Sequence, residues 1–69
     1  MTWVIHKGDR RHLYNIEACK QIFLSDSRIW LEYDYDDKYP LDFETDAEAA
    51  QAFSYLRESI KRGENLLNI

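Results

Sequence analysis

The sequence predicts an α+β domain: an antiparallel β-meander of four to five strands, with one C-terminal α-helix packed on its apolar face. Three observations lead there. Residues 28–44, RIWLEYDYDDKYPLDFE, alternate apolar and acidic side chains, turn, and alternate again, which is the period of a half-buried strand. Residues 45–63, TDAEAAQAFSYLRESIKRG, change to a helical period with start and stop signals at the two ends. Turn residues at Gly8-Asp9 and Asp26-Ser27 divide the earlier part of the chain into further strands. Strands are expected at about 2–7, 11–16, 20–25, 28–35 and 39–44, the helix at about 46–62, and a tail at 63–69 of a single domain.

In the first hairpin, Gly8 leads a two-residue type II′ turn with Asp9. That register pairs Ile5 with His12, Val4 with Leu13 and Trp3 with Tyr14. The more apolar face then carries Trp3, Ile5, Tyr14 and Ile16; the other carries Val4, His6, Arg11 and Leu13. After a short break at Glu17-Ala18-Cys19, a turn at Asp26-Ser27 pairs Leu24 with Ile29 and Ile22 with Leu31. On the opposite face Phe23 meets Trp30 and Gln21 meets Glu32.

The third connection is a matter of parity. Opposed residues point to the same side of a sheet, so a two-residue loop at Asp36-Asp37 would set Leu41 and Phe43 against charged residues. A three-residue loop, Asp36-Asp37-Lys38, instead pairs Tyr35 with Tyr39, Tyr33 with Leu41 and Leu31 with Phe43, and a five-residue loop keeps the same parity. Pro40 has no N–H for a ladder, so this strand is expected at an edge or bulged.

Thr45 and Glu48 have the spacing of a capping box, Lys61 and Arg62 suit the negative end of the helix dipole, and Gly63 stops the helix. Ala49, Phe53, Leu56 and Ile60 form its apolar stripe, with Ala52 beside it. That stripe is expected to cover Ile22, Leu24, Ile29, Leu31, Tyr33, Leu41 and Phe43. The tail holds Leu66, Leu67 and Ile69, which are expected to pack back or to pair with another chain.

A 69-residue chain with one cysteine has neither room for a second core nor a disulfide of its own, so regular packing or self-association must support it. The net charge of −4 disfavours unspecific attraction to nucleic acid or anionic lipid, and no apolar run approaches membrane-spanning length. A lone cysteine and the absence of a basic segment leading an apolar run make a cytoplasmic setting the expectation.

The registers above leave Phe23, Trp30 and Glu44 in one row of the uncovered sheet face and Gln21, Glu32 and Asp42 in the next. Glu32 opposite Asp42 would be a destabilising like-charge pair unless solvent, a cation or a basic partner offsets it. The face reads either as a solvated surface or as a protein-interaction surface, with Phe23 and Trp30 as anchors, a rim of Glu32, Asp42 and Glu44, and Val4 and Leu13 adjoining. A carboxylate-pair site would need a cleft that a flat sheet lacks. The Tyr33–Asp37 run has no central glycine for a calcium loop. His6 and His12 share a face only if the first turn has three residues, and no further zinc ligand is evident. No nucleophile has a base nearby in sequence and no glycine loop cradles phosphate, so no catalytic residue, metal or cofactor is assigned and the chain is not read as an enzyme. Lys7, Arg10 and Arg11 are the candidate contacts for nucleic acid, a partner that the acidic sheet face disfavours.

In the order of its elements the chain is similar to the single-stranded-DNA-binding coactivator domains of the positive-cofactor-four type, which are dimers. Glu32, Asp42 and Glu44 depart from their basic sheet face. The stretches YNIEACKQIFLSDSRIWLEY and LDFETDAEAAQAF resemble a pattern in small bacterial and phage proteins, which implies a fold and no function. The resulting expectation is a self-associating protein-interaction module, a homodimer or the binder of a basic protein. Two surfaces compete for the dimer contact: the open sheet face, and the tail with its neighbouring edge. If the sheet face is used, its acidic row must meet Arg11, Arg28 or another basic group of the second copy.

Overall fold

The N-terminal strand runs through the middle of a sheet that the far end of the chain completes. In the computed structural model, which describes residues 1–69, the strands are β1 (Trp3–His6), β2 (Asp9–Asn15), β3 (Gln21–Ser25), β4 (Arg28–Asp34), β5 (Asp37–Asp42) and β6 (Leu66–Asn68). The helix α1 spans Asp46–Arg62, and a single 3-10 turn, Ile16–Ala18, joins the two halves of the sheet region. The strands form two three-stranded sheets, ordered β2-β1-β6 and β3-β4-β5. This is the expected α+β class with a largely antiparallel arrangement, but with six strands in two sheets where a single meander of four to five was expected.

The sixth strand is the aliphatic tail packing back. It lies parallel to β1, with Trp3 beside Leu66 and Val4 beside Leu67. Thr2 Oγ1 donates to the Glu64 carbonyl at 2.8 Å, and Trp3 N–H to that of Asn65 at 2.9 Å. Leu67 and Ile69 thereby join Val4, Ile16, Ile29, Leu31, Leu41, Phe43, Ala49 and Leu56 in one core shared by both sheets and the helix.

The helix keeps its expected bounds, with the Thr45 half of the capping box formed and the Glu48 carboxylate turned to Lys7 instead. Thr45 Oγ1 accepts from Glu48 N–H at 3.1 Å, and Gly63 takes the left-handed conformation with φ 75°. Its apolar stripe is rotated near the end: Ile60 is 40% exposed and Ser59 is buried. The tail crosses back over this turn, with Glu64 N–H donating to the Ser59 carbonyl at 3.1 Å, so the crossing admits a small side chain. Leu24, expected under the helix, is likewise 37% exposed at the outer end of β3.

Two of the three hairpins depart from the expected registers. The β3–β4 pairing is as expected, from Gln21 with Glu32 to Ser25 with Arg28. The first hairpin turns at Lys7-Gly8, one residue earlier than Gly8-Asp9, and pairs His6 with Asp9, Val4 with Tyr14 and Trp3 with Asn15. The register shifts between Val4 and His6, so β2 bulges over Arg10–Leu13. Val4 and His6 thus point into the core and Trp3 outward, the inverse of the expected faces. In the third hairpin the turn is Tyr35-Asp36, and Glu32 pairs with Lys38, Leu31 with Tyr39, Trp30 with Pro40, Ile29 with Leu41 and Arg28 with Asp42. Parity is met by an even turn plus a one-residue bulge at Tyr33, in place of an odd loop. As Pro40 demands, β5 is an edge strand.

Candidate functional site: an aromatic strip on the outer sheet

The β3-β4-β5 registers set three rows on the face turned away from Ile29, Leu31 and Leu41. The middle row is Phe23, Trp30, Pro40; one flank is Gln21, Glu32, Lys38 and the other Ser25, Arg28, Asp42. The Phe23 and Trp30 rings are stacked at 6.4 Å and 19°, and the Arg28 guanidinium lies 5.9 Å from the Trp30 ring centroid. Both rings are half-buried, and such contacts, worth about 0.5–1.5 kcal/mol each, help to hold them in place.

The flanks correct the acidic face. Glu32 does not oppose Asp42: Lys38 Nζ is 3.7 Å from Glu32, and Arg28 Nε is 2.6 Å from Asp42 Oδ1. Gln21 also donates to Glu32 Oε2 at 3.0 Å. The strip is therefore bordered by two carboxylates and two cations, without net charge. Glu44 is exposed beyond the end of β5 and joins no row. Val4 is fully buried and can touch no partner, whereas Leu13 is 58% exposed but sits on the other sheet. Lys38 and Pro40 take their places in these rows, and Asp42 comes opposite Arg28, through the bulge at Tyr33, which carries no sequence signal; Arg28 itself lies on this face by the expected β3–β4 register.

The basic turn is partly neutralised. Lys7 Nζ lies 3.8 Å from Glu48 Oε2, and Arg11 Nε lies 3.5 Å from Asp9 Oδ1, while Arg10 is exposed. Asp9 also accepts from Arg11 N–H at 3.2 Å and faces His12 Nδ1 at 2.7 Å, so it braces the bulged part of β2. The hydrogen bond from His12 is the main reason its carboxyl is held below the ordinary 3.8.

Both bulges open on one groove of about 490 Å³ between the sheets, lined by His12, Leu13, Tyr14, Tyr33, Asp37 and Tyr39. Tyr14 and Tyr33 each approach Tyr39, at 6.0 and 5.7 Å between centroids. Burial raises the hydroxyls of Tyr14 and Tyr33, and the Asp37 carboxylate raises that of Tyr39. Burial also raises the Cys19 thiol, against an opposing hydrogen bond from Tyr33. His6 and His12 are held apart in separate roles, and no three His, Cys, Asp or Glu side chains are placed to hold a metal ion. No helix is long and apolar enough to cross a membrane. Comparison with protein-family models, curated proteins and solved structures returned no match to this chain.

Proposed function

We propose that this chain is a small protein-interaction module that self-associates through the outer face of the β3-β4-β5 sheet. The observation that carries the reading is the Phe23–Trp30 stack on the side of β3 and β4 opposite the core. Aromatic rings held by an adjacent arginine are the composition of binding hot spots, and flanks without net charge let a second protein approach without repulsion. The competing surface is reduced, because Leu67 and Ile69 lie inside the core and Leu66 is the one aliphatic side chain of the tail that stays outside.

The contact is small. Three strands at about 4.8 Å and six residues at about 3.4 Å give a face of roughly 300 Å² in projection, against about 800 Å² per partner in a standard interface. A reversible, concentration-dependent dimer is expected. Sedimentation velocity over a wide concentration range tests it, wild type beside Trp30→Ala. The expected result is a wild-type dimer and a folded Trp30→Ala monomer, and a wild type that is monomeric throughout overturns the proposal. Nucleic-acid contact through Lys7, Arg10 and Arg11 draws less support, since the chain's net charge of −4 opposes the approach of phosphates.

A further inference from the structure

The four charges that flank the aromatic strip are arranged as a self-complementary pattern. Along β4 the outward residues run Arg28, Trp30, Glu32: positive, apolar, negative. Along β5 the opposed residues run Asp42, Pro40, Lys38: negative, apolar, positive. From this pattern we infer that two copies meet face to face about a two-fold axis that crosses the strands at Trp30. The inference rests on the self-association reading above and adds its register.

Each two-fold arrangement makes a different set of contacts. A half-turn about an axis along β4 lays Arg28 on Arg28 and Glu32 on Glu32, and like charges close together oppose association. A half-turn about an axis across the strands reverses the order along each strand. Arg28 then faces Glu32 of the second copy, Asp42 faces its Lys38, and Trp30 meets Trp30. Each unlike pair occurs twice, as an isologous interface requires. A third arrangement, with the axis parallel to the strands and midway between β4 and β5, also matches charges, Arg28 on Asp42 and Glu32 on Lys38. It shifts the faces by a strand, however, and leaves Phe23 beyond the partner's edge. Of the two arrangements that match charges, only the axis across the strands encloses the whole Phe23, Trp30, Pro40 row. Stacked sheets cross at about 30°, which leaves Trp30 on the axis and offsets the residues around it by about 2.5–3.5 Å, within reach of the flanking side chains.

The test is a pair of charge reversals, made separately and then mixed. Arg28→Glu places two glutamates on β4 and Glu32→Arg places two arginines there, so neither homodimer has a matched β4 contact. Since each reversal acts at both symmetric contacts, each variant alone should dimerise at least about tenfold more weakly than wild type. Mixed one to one, the two β4 glutamates of the Arg28→Glu chain face the two β4 arginines of the Glu32→Arg chain, and a heterodimer of near wild-type affinity should form. One variant carries a fluorophore so that heterodimers are read directly by anisotropy, and circular dichroism confirms that both are folded. Recovery on mixing cannot come from unfolded chains.

Wild-type self-association with no heterodimer in this mixture overturns the inferred register while leaving self-association standing. The same holds if recovery appears instead on mixing Arg28→Glu with Asp42→Arg, the pair that the strand-shifted arrangement matches. A monomeric wild type removes both the register and the reading beneath it.

Discussion

The Nε2 of His6 lies 2.9 Å from the carbonyl oxygen of Asp42, a hydrogen bond from the central strand of one sheet to the edge strand of the other. A carbonyl only accepts, so the His6 ring carries its hydrogen on Nε2. Its Nδ1 is buried without a partner, and the ring tilts against Phe43 at 5.0 Å between centroids. His6→Phe keeps a ring against Phe43 but leaves the Asp42 carbonyl without its donor. We expect a loss of about 0.5–1.5 kcal/mol in urea unfolding, the net worth of one part-buried hydrogen bond.

The pinned ring explains Gly8. A Cβ there would come 3.1 Å from His6 Nε2, and the hydrogen bond to Asp42 prevents the ring from yielding freely. Gly8→Ala should cost about 1–3 kcal/mol by overpacking. Gly63→Ala should cost about 1–2 kcal/mol for a different reason, its φ of 75° with nothing within 4 Å. Placing both in a His6→Ala background separates the causes: the Gly8 penalty should shrink and the Gly63 penalty should not.

Salt should weaken the proposed dimer without abolishing it. Arg28, Lys38 and Asp42 are exposed and Glu32 is half-buried, so these charges are largely screened at high ionic strength, while the Phe23–Trp30 strip is not. Sedimentation at about 0.05 M and 1 M salt should show a dimer about threefold to thirtyfold weaker in the latter, and a dimer insensitive to salt would speak against any role for Arg28 and Lys38.

Asp9 gives the acid side of the pH profile. Its carboxyl is depressed below 3.8 by the His12 hydrogen bond first, then by Arg11 N–H. A depressed native value means stabilisation that is in place above about pH 4 and disappears as pH falls through that native value. Carboxyl-carbon NMR titration should place the Asp9 midpoint below 3.8, and His12→Phe should move it upward.

The tyrosine groove gives the alkaline side. Tyr14 and Tyr33 are raised by burial and Tyr39 by the neighbouring Asp37 carboxylate, all from an ordinary 10.0. A raised native value means stabilisation present below pH 10 and lost as pH rises through the native values. Phenolate absorbance should therefore show a late-titrating group of tyrosines in the native protein that vanishes in urea. Asp37→Asn should bring the Tyr39 transition earlier.

Much of this molecule is legible from local rules. The helix from Asp46 to Arg62 needs only its Thr45 cap, its period and Gly63, all of them interactions within about four residues. The β3–β4 register follows from one turn and one alternation, so the Phe23–Trp30 pair is legible in the amino-acid order alone. What local rules do not reach are the two bulges. The alternation around Tyr33 is consistent with an odd loop or with an even turn and one extra residue. The choice is made by packing: it brings Leu41 beside Ile29, turns Tyr33 toward Tyr39, and exchanges a supposed Glu32–Asp42 clash for the Glu32–Lys38 and Arg28–Asp42 pairs. The inward turn of Val4 and His6 is settled in the same way, by a tail strand more than sixty residues away and by the Asp42 carbonyl of the other sheet. The helix, the β3–β4 hairpin and the aromatic pair are thus properties of short stretches of chain, whereas β6 exists only by pairing with β1. Which charges surround that pair is a property of the whole fold, because register is the sum of contacts made across the entire core.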